Sequence, residues 1–289
     1  MVKFKEKFLE RYGQDTDIEV FKEYCLKPLR KSIRVNTLKI SIDDLKKRLD
    51  NLKQVPWCKE GFFIDQYGVG NLKEHFLGYI YVQEAASMIP ALVLNPKDEL
   101  VLDTCAAPGS KTTHLAAIMK NKGLIVANDV EIKRLKALGV NLQRCGVLNT
   151  VMTYMRGEGI KTKFDKILLD APCSGTGVIR KSLNTLKIWN ENMIKKLSYT
   201  QKDLIVNAFN GLKDNGVMVY STCSVDREEN ENVVEFLLDK FDNAKLEKID
   251  LNIKRSKCLS NNKELDKCLR IWPQDNDTEG FFVAKIKKN

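Results

Sequence analysis

The sequence has few of the residues that form metal sites and no long apolar segment. Only two histidines occur in 289 residues, and none of the eight cysteines forms a C-x-x-C pair, so the pattern argues against a zinc site. No apolar run approaches the roughly 20 residues of a membrane-spanning helix. Residues 1–11 are charged throughout and lack the apolar core of a signal peptide. We therefore expect a cytoplasmic protein that binds no metal and no membrane.

Acidic residues are fewer than basic ones, 38 Asp and Glu against 48 Lys and Arg. The net charge is +10, and residues 27–59 contain ten Lys or Arg against three Asp. Residues 245–270 contain eight basic side chains against four acidic ones. A basic excess favours a polyanionic partner such as nucleic acid, although an ordinary solvated surface explains the same charge.

The chain reads as two units, a small α+β unit over residues 1–80 and a larger unit over residues 81–289. Apolar spacing in the first unit predicts helices over 3–12, 17–26 and 42–52 and strands over 32–38 and 62–64. From residue 84 onward, predicted helices and strands alternate, which indicates a doubly wound, mostly parallel sheet. The last two predicted strands, 269–272 and 281–286, have no predicted helix between them. We therefore expect an antiparallel strand at the edge.

Two cysteines follow predicted strands of the larger unit. Cys173 comes just after the strand at 166–169, and Cys223 comes just after the strand at 217–220. Ligands of open α/β sheets bind at the carboxyl ends of the strands, so both thiols should open onto one cleft. A thiolate there adds covalently to an electron-poor carbon. Each cysteine alone would more commonly be a buried packing residue.

The loop after the first strand of this sheet, residues 103–111, indicates a nucleotide-like cofactor. Its small residues let a ligand approach the backbone, and the following helix offers free N–H groups. It has a single glycine, unlike the dinucleotide and phosphate-binding loops, which favours a cofactor without phosphates. S-adenosylmethionine fits, because it has a ribose and an adenine, and its positive sulfonium suits the carboxylates of Asp103 and Asp170. Asp129 ends the next strand, where it either accepts the ribose hydroxyls or caps the following helix.

Taken together, these segments resemble the RNA cytosine-5 methyltransferases of the Nop/Sun family. The resemblance runs from about residue 30 to the end of the chain. The matching segments are SIRVNT (32–37), VQEAAS (82–87), DTCAAPGSK (103–111), DAPCSGTG (170–177), YSTCS (220–224), EENE (228–231), RIWP (270–273) and GFF (280–282).

This resemblance implies a Rossmann-like S-adenosylmethionine-dependent methyltransferase domain after a partial RNA-recognition-motif-like unit. It implies that Cys223 attacks carbon 6 of cytosine, because carbon 5 alone is too weak a nucleophile, and that Cys173 assists release. Lys111 is the candidate cation that activates Cys223, and Asp170 is placed to hydrogen-bond the pyrimidine N3. The cofactor contacts that we assign are Cys105, Ala106, Ala107, Pro108, Gly109, Ser110, Lys111, Asp129, Arg134 and Asp170.

Two positions depart from the family pattern. The acidic residue expected after the third strand is missing from residues 153–156, and Asn276 stands where a histidine is often found. We expect an RNA partner, with transfer RNA favoured over ribosomal RNA, and RNA contacts by Lys27, Arg30, Lys31 and Arg34. A ribosomal RNA enzyme and a non-catalytic RNA-binding protein on the same scaffold are the alternatives. The need for a partner protein stays open.

Overall fold

Two sheets organise the chain, a small antiparallel sheet and a large mixed sheet. The computed structural model describes residues 4–155 and 162–289. In the first part, the helices are α1 (Glu6–Gly13), α2 (Ile18–Leu26), α3 (Ile42–Lys46) and α4 (Lys73–Phe76), and the strands are β1 (Ser32–Val35), β2 (Leu52–Val55), β3 (Cys58–Ile64) and β4 (Ile80–Val82). The small sheet has the order β2-β3-β1-β4.

Helix α3 is shorter than the sequence pattern predicts. It ends at Lys46, and Leu52, which we expected on its apolar face, instead begins β2. Asn51 lies between them with a φ of 58°. Asparagine tolerates this left-handed conformation and favours turns, so the chain reverses here instead of continuing the helix.

The first two helices pack against the larger unit. The Phe8 ring lies 5.3 Å from the ring of Trp189, and the Phe21 ring lies 5.2 Å from that of Trp272, both edge to face. Strand β4 crosses the division that we placed after residue 80, because its residues pair with β1. The division into residues 1–80 and 81–289 stays a prediction.

The large sheet contains five parallel strands and three antiparallel ones. Its order is β10-β12-β9-β8-β5-β6-β7, with β11 paired to β12. The strands are β5 (Leu100–Asp103), β6 (Leu124–Asn128), β7 (Thr150–Thr153), β8 (Phe164–Asp170), β9 (Leu212–Thr222), β10 (Ala244–Glu247), β11 (Leu269–Ile271) and β12 (Phe281–Lys288). The helices are α5 (Ile89–Leu94), α6 (Ser110–Met119), α7 (Ile132–Cys145), α8 (Asn184–Ile188), α9 (Glu191–Asn210), α10 (Glu231–Lys240) and α11 (Pro273–Asn276).

Helices cover both faces of this sheet, which confirms the doubly wound prediction. Neighbouring residues of β8 show it: Leu168 packs in one apolar cluster with residues of α5 and α6. Leu169 packs in another with residues of α9 and α10. Side chains alternate across a strand, so a strand buried on both sides reads as a continuous apolar run.

The end of the chain differs from prediction in two ways. Strand β12 is antiparallel to β9 as expected, but β10 pairs on its other side, so β12 is not the edge. The short helix α11 lies between β11 and β12, where we predicted no helix. Pro273 suits the first turn of a helix, and Asp277, with a φ of 55°, ends it. Among the described residues, no helix is long and apolar enough to cross a membrane.

Candidate active site

The two cysteine loops meet at the carboxyl ends of β8 and β9. These strands are parallel neighbours, with Asp170 opposite Ser221, so the residues that follow them leave the sheet side by side. The Sγ atoms of Cys173 and Cys223 lie 3.2 Å apart, within hydrogen-bond distance. The fold therefore brings together two thiols that are 50 residues apart in the sequence.

A cleft of about 480 Å³ opens beside Cys223. Residues that the sequence analysis assigned to catalysis or the cofactor form much of its wall: Cys105, Ala106, Ala107, Pro108, Ser110, Lys111, Arg134, Asp170 and Cys223. Lys181, Ser182 and Glu279 also line it and were not identified from sequence. The sequence around these three residues is polar and contains no motif that distinguishes it from an ordinary loop.

Lys111 and Asp170 form a partly buried ion pair in this cleft. The Nζ of Lys111 lies 2.7 Å from Oδ2 of Asp170, and the Ser221 hydroxyl donates to Oδ1 of Asp170 at 2.7 Å. Burial lowers the pKa of Lys111, but Asp170 and Cys223 raise it more, so the net shift is upward. Lys111 therefore stays charged and lines the same cleft as Cys223.

Cys173 lies in a different environment from Cys223. Its hydrogen bond with Cys223 raises its pKa well above the usual range, and burial and the nearby Glu229 raise it further. Cys173 therefore holds its proton at neutral pH. Because the thiolate is the nucleophilic form, the two cysteines are suited to different roles.

Glu229 holds the Cys173 loop in place. The backbone N–H of Ser174 donates to Oε1 of Glu229 at 3.0 Å, and the Ser174 hydroxyl also donates to this carboxylate. The Gln201 amide donates to Glu229 at 2.9 Å and to the carbonyl of Pro172 at 2.8 Å. The sequence analysis noted Glu229 only as part of a matching segment, because its partners come from distant helices and loops.

The two residues that follow Glu229 hold the Cys223 loop. The Asn230 amide donates to the carbonyl of Ser224 at 2.9 Å. Buried Glu231 accepts from Nε and Nη2 of Arg270 at 2.7 and 2.5 Å, and Nη1 of Arg270 donates to the carbonyl of Val225 at 2.8 Å. Such bidentate pairs fix geometry as well as charge, so the loop is held in one conformation.

Gly177 lets three backbone segments approach one another at the active site. Its N–H donates to the carbonyl of Cys223 at 3.0 Å, and its carbonyl accepts from Gly280 at 2.9 Å. A Cβ at position 177 would lie 2.3 Å from the Gly280 carbonyl oxygen and 2.7 Å from that of Cys223. Both neighbours are backbone atoms, so neither can move aside cheaply.

Replacing Gly177 with alanine should therefore separate the two cysteine loops. We expect a loss of about 1–3 kcal/mol or more in the free energy of unfolding, as for other overpacked sites, and a loss of most methyl transfer. Urea denaturation and an activity assay on one preparation measure both. Gly70→Ala is the matched control, because nothing lies within 4 Å of its added Cβ. Equal behaviour of the two variants would contradict this role for Gly177.

The loop between β5 and α6 forms the floor of the cleft. Gly109 has a φ of 104°, and a Cβ there would lie 2.9 Å from Cδ1 of Leu138. Thr112 donates to Oδ2 of Asp103 at 2.8 Å, whereas the buried Oδ1 of Asp103 has no partner. Burial raises the pKa of Asp103 to about 7. Asp103 is 1% exposed and does not line the cleft, so its charge would act on a ligand from behind the loop.

A second cavity, of about 560 Å³, meets the cleft at Cys105. Apolar side chains form part of its wall, namely those of Val130, Met155, Pro172 and Leu204. This cavity lies where the missing acidic residue would stand, and Asp203 of α9 is an acidic residue in its wall. Arg156, the last residue of that segment, lies outside the described residues.

The Asp129 side chain joins the turn before α7 to the loop between β5 and α6. Its Oδ1 accepts from the N–H of Glu131 at 3.0 Å, and its Oδ2 accepts from the N–H of Ala107 at 3.2 Å. Arg134 lies 3.3 Å from Oδ2 and also donates to the carbonyl of Ala107 at 2.6 Å. Asp129 is buried and lines neither cavity, so its link to the cleft runs through Ala107 and Arg134.

Arg34 does not belong to an exposed basic surface, so its predicted RNA contact is wrong. Its side chain is fully buried. The guanidinium donates to the Ser110 carbonyl at 2.7 Å and to the Thr113 hydroxyl at 2.9 Å, and it also contacts Gln83. Arg34 and Gln83, from two matching segments, thus support the first turn of α6. Arg30, by contrast, is 40% exposed and pairs with Asp277 at 3.0 Å.

Comparison with known proteins places the whole chain among RNA methyltransferases. Residues 91–287 match the family model described as 16S rRNA methyltransferase RsmB/F, and residues 2–85 match the N-terminal domain of 16S rRNA methyltransferase RsmF. The chain is 47% identical to the tRNA (cytosine(49)-C(5))-methyltransferase of Pyrococcus abyssi, over 99% of this chain and 97% of that protein.

Two further comparisons are with a ribosomal RNA enzyme and with a crystal structure. The chain is 43% identical to ribosomal RNA small subunit methyltransferase F of Vibrio parahaemolyticus, over 99% of this chain but only 63% of that protein. It superposes on the crystal structure of NSun6 from Pyrococcus horikoshii with SFG, with a TM-score of 0.89 and 26% identity over 99% of both chains.

Proposed function

This chain belongs to the RsmB/F family of S-adenosylmethionine-dependent RNA cytosine-5 methyltransferases, and we propose that it methylates transfer RNA with Cys223 as its nucleophile. This proposal rests on one observation: the two thiols lie 3.2 Å apart beside the partly buried Lys111–Asp170 ion pair. The membership confirms the resemblance seen in the sequence. The roles of individual residues are our proposal.

Lys111, Cys223 and Asp170 have different roles in the proposed reaction. Lys111 favours the thiolate of Cys223, whose sulfur bonds to carbon 6 of the base and raises the electron density at carbon 5. When bound, S-adenosylmethionine supplies the electrophilic methyl group. Asp170, ordered by Lys111 and Ser221, accepts or shares a hydrogen bond at the altered pyrimidine ring. Solvent takes up the proton that carbon 5 loses, the electron pair of the carbon 5–hydrogen bond re-forms the ring double bond, and the carbon–sulfur bond breaks to release the Cys223 thiolate.

Cys173 acts at the release step. The Cys173 thiol holds its own proton firmly. It is therefore a poor acceptor for the carbon 5 proton as long as the thiol proton is present. Its hydrogen bond to the Cys223 sulfur instead stabilises the thiolate that must leave carbon 6. Glu229 disfavours a thiolate at Cys173, which supports Cys173 as the assisting group and Cys223 as the attacking one.

The cleft and the adjoining cavity fit S-adenosylmethionine. The unpaired Oδ1 of Asp103 suits a positive group, the first turn of α6 offers backbone N–H groups, and the cavity at Val130 and Pro172 suits a purine ring. SFG, present in the NSun6 structure, is an analogue of this cofactor. We propose that the assigned loop residues hold the cofactor and that Asp129 acts through Ala107 and Arg134.

Cofactor binding should strengthen as the pH rises through about 7. Burial raises the pKa of Asp103 to about 7, and only its ionised form attracts a cation, so the ionised fraction grows between pH 6 and 8. We expect the dissociation constant to fall roughly five- to tenfold over that range, measured by calorimetry. Asp103→Asn should bind weakly at both pH values, without this slope. A slope retained in Asp103→Asn would assign it to another group, such as Glu84, whose pKa burial raises to about 8.

Similarity to the Pyrococcus tRNA methyltransferase supports transfer RNA as the substrate. The chain is 47% identical to that enzyme and 43% identical to the Vibrio ribosomal RNA enzyme. Tritium transfer from labelled S-adenosylmethionine to separated tRNA and small-subunit rRNA tests this. We expect label in tRNA, and bisulfite sequencing then locates the cytosine, with position 49 examined first. Label confined to rRNA would favour the alternative substrate, and no label in either RNA would contradict the proposed activity.

A further inference from the structure

A second cluster of reactive side chains lies at another cavity, which has a volume of about 1040 Å³. Cys58 and Glu60 come from β3 of the small sheet, and His114 comes from α6. Their ligand atoms all lie within 4.8 Å of one another. Glu60 and His114 line the cavity, which shares none of its lining residues with the active-site cleft.

His114 is buried without any hydrogen bond. It is 1% exposed, and neither ring nitrogen has a partner. Burial lowers its pKa well below the usual range, and Arg34 and Lys111 add to this effect, so the ring is neutral. A neutral imidazole has a free lone pair, which is the form that binds metals. A buried polar group left unpaired is unusual and calls for a ligand or a water.

Cys58 and Glu60 supply negative charge that would balance a bound cation. The Cys58 thiol lies 3.7 Å from Oε2 of Glu60. Burial and Glu60 raise the pKa of Cys58 to about 12, although Arg34 opposes this. The Glu60 carboxylate also faces Lys59 at 3.6 Å. A divalent cation would displace the thiol proton and balance the thiolate and the carboxylate.

We propose that Cys58, Glu60 and His114 bind a divalent transition metal of the zinc class, with a water molecule from the cavity as the fourth ligand. Sulfur, imidazole and carboxylate are the ligands that zinc accepts, and a tetrahedral site places them about 3.5 Å apart. The three ligand atoms lie within 4.8 Å of one another, so metal binding would draw them closer together. The cavity supplies the entry path.

Neither the two histidines nor the cysteine spacing in the sequence indicated this cluster. Here two ligands lie on one strand and the third lies on a helix that packs in the same apolar cluster. His114 is one helical turn after Lys111 on α6. The metal would therefore link the small sheet to the helix that carries Lys111 and begins at the cofactor loop, and it should stabilise the protein.

Cobalt(II) provides the test, because a thiolate bound to it gives a near-ultraviolet charge-transfer band. The full-length protein, stripped with a chelator, is titrated with Co²⁺ and then with Zn²⁺. We expect one equivalent of Co²⁺ to bind, a thiolate band that Zn²⁺ removes, and a rise in the melting temperature with either ion. Cys58→Ser should lose the band, and His114→Gln and Glu60→Gln should each weaken Co²⁺ binding by at least about tenfold.

Three controls make the outcome decisive. Cys25→Ser tests a buried thiol outside the cluster, and Cys173→Ser/Cys223→Ser tests the active-site pair; both should keep the band. Circular dichroism shows whether each variant folds, and Glu60→Gln, the mildest change, covers the case in which His114→Gln unfolds. A band retained in Cys58→Ser, a band lost in Cys173→Ser/Cys223→Ser, or no binding by the wild-type protein would each overturn the proposal.

Discussion

Replacing Cys223 with alanine should lower methyl transfer by at least about 10⁴-fold, as expected when a covalent nucleophile is removed. Without the thiolate, carbon 5 of cytosine is too weak a nucleophile to accept the methyl group. S-adenosylmethionine binding should change by less than about threefold, because the groups that attract the cofactor's charge, Asp103 among them, are intact. Tritium transfer and calorimetry on the same preparation measure the two quantities.

The matched control is another buried cysteine outside the cleft. Cys258 is 6% exposed and packs in the apolar cluster that contains residues of α9 and α10. Cys258→Ala should therefore keep methyl transfer. If Cys223→Ala turned over within about tenfold of the wild-type protein, Cys223 would not be the nucleophile. If it lost cofactor binding to the same degree as activity, the cysteine would instead support the cofactor site.

Replacing Cys173 with alanine should have an equally large effect, of a different kind. The variant retains Cys223 and Lys111, so the bond to carbon 6 forms, but the neighbour that stabilises the leaving thiolate is gone. We expect a covalent protein–RNA complex that survives boiling in detergent and disappears on ribonuclease treatment. Gel electrophoresis with labelled RNA detects it, and turnover should fall by on the order of 10²-fold or more, as when a hydrogen bond to a developing negative charge is removed.

The double variant separates the two roles. Cys173→Ala/Cys223→Ala should form no covalent complex, because no thiol remains at the end of either strand. A complex trapped by Cys223→Ala, and not by Cys173→Ala, would reverse the assignment and make Cys173 the attacking group. Absence of a complex in every variant, with activity retained in Cys173→Ala, would show that Cys173 only packs beside the nucleophile.

Local sequence patterns predicted every strand of the large sheet except β10. Buried parallel strands read as short apolar runs, as Leu100–Leu102 in β5 and Ile167–Leu169 in β8 do. The boundaries were less accurate where a turn residue overrode an apolar pattern, as Asn51 does after α3. Strand β10 was missed because its residues alternate between buried and exposed over only four positions.

The sequence by itself determined the family, the sheet type and the strand ends at which the thiols lie, because short motifs and strand periodicity are local properties. Only the tertiary structure decided which side chains pair. It buried Arg34 beneath the loop between β5 and α6, bonded Asp129 to the N–H groups of Ala107 and Glu131, and placed Glu229 behind Cys173. It also brought His114 to Cys58 and Glu60. Such contacts join residues far apart in the chain, so their geometry, burial and pKa shifts depend on packing that no local pattern records.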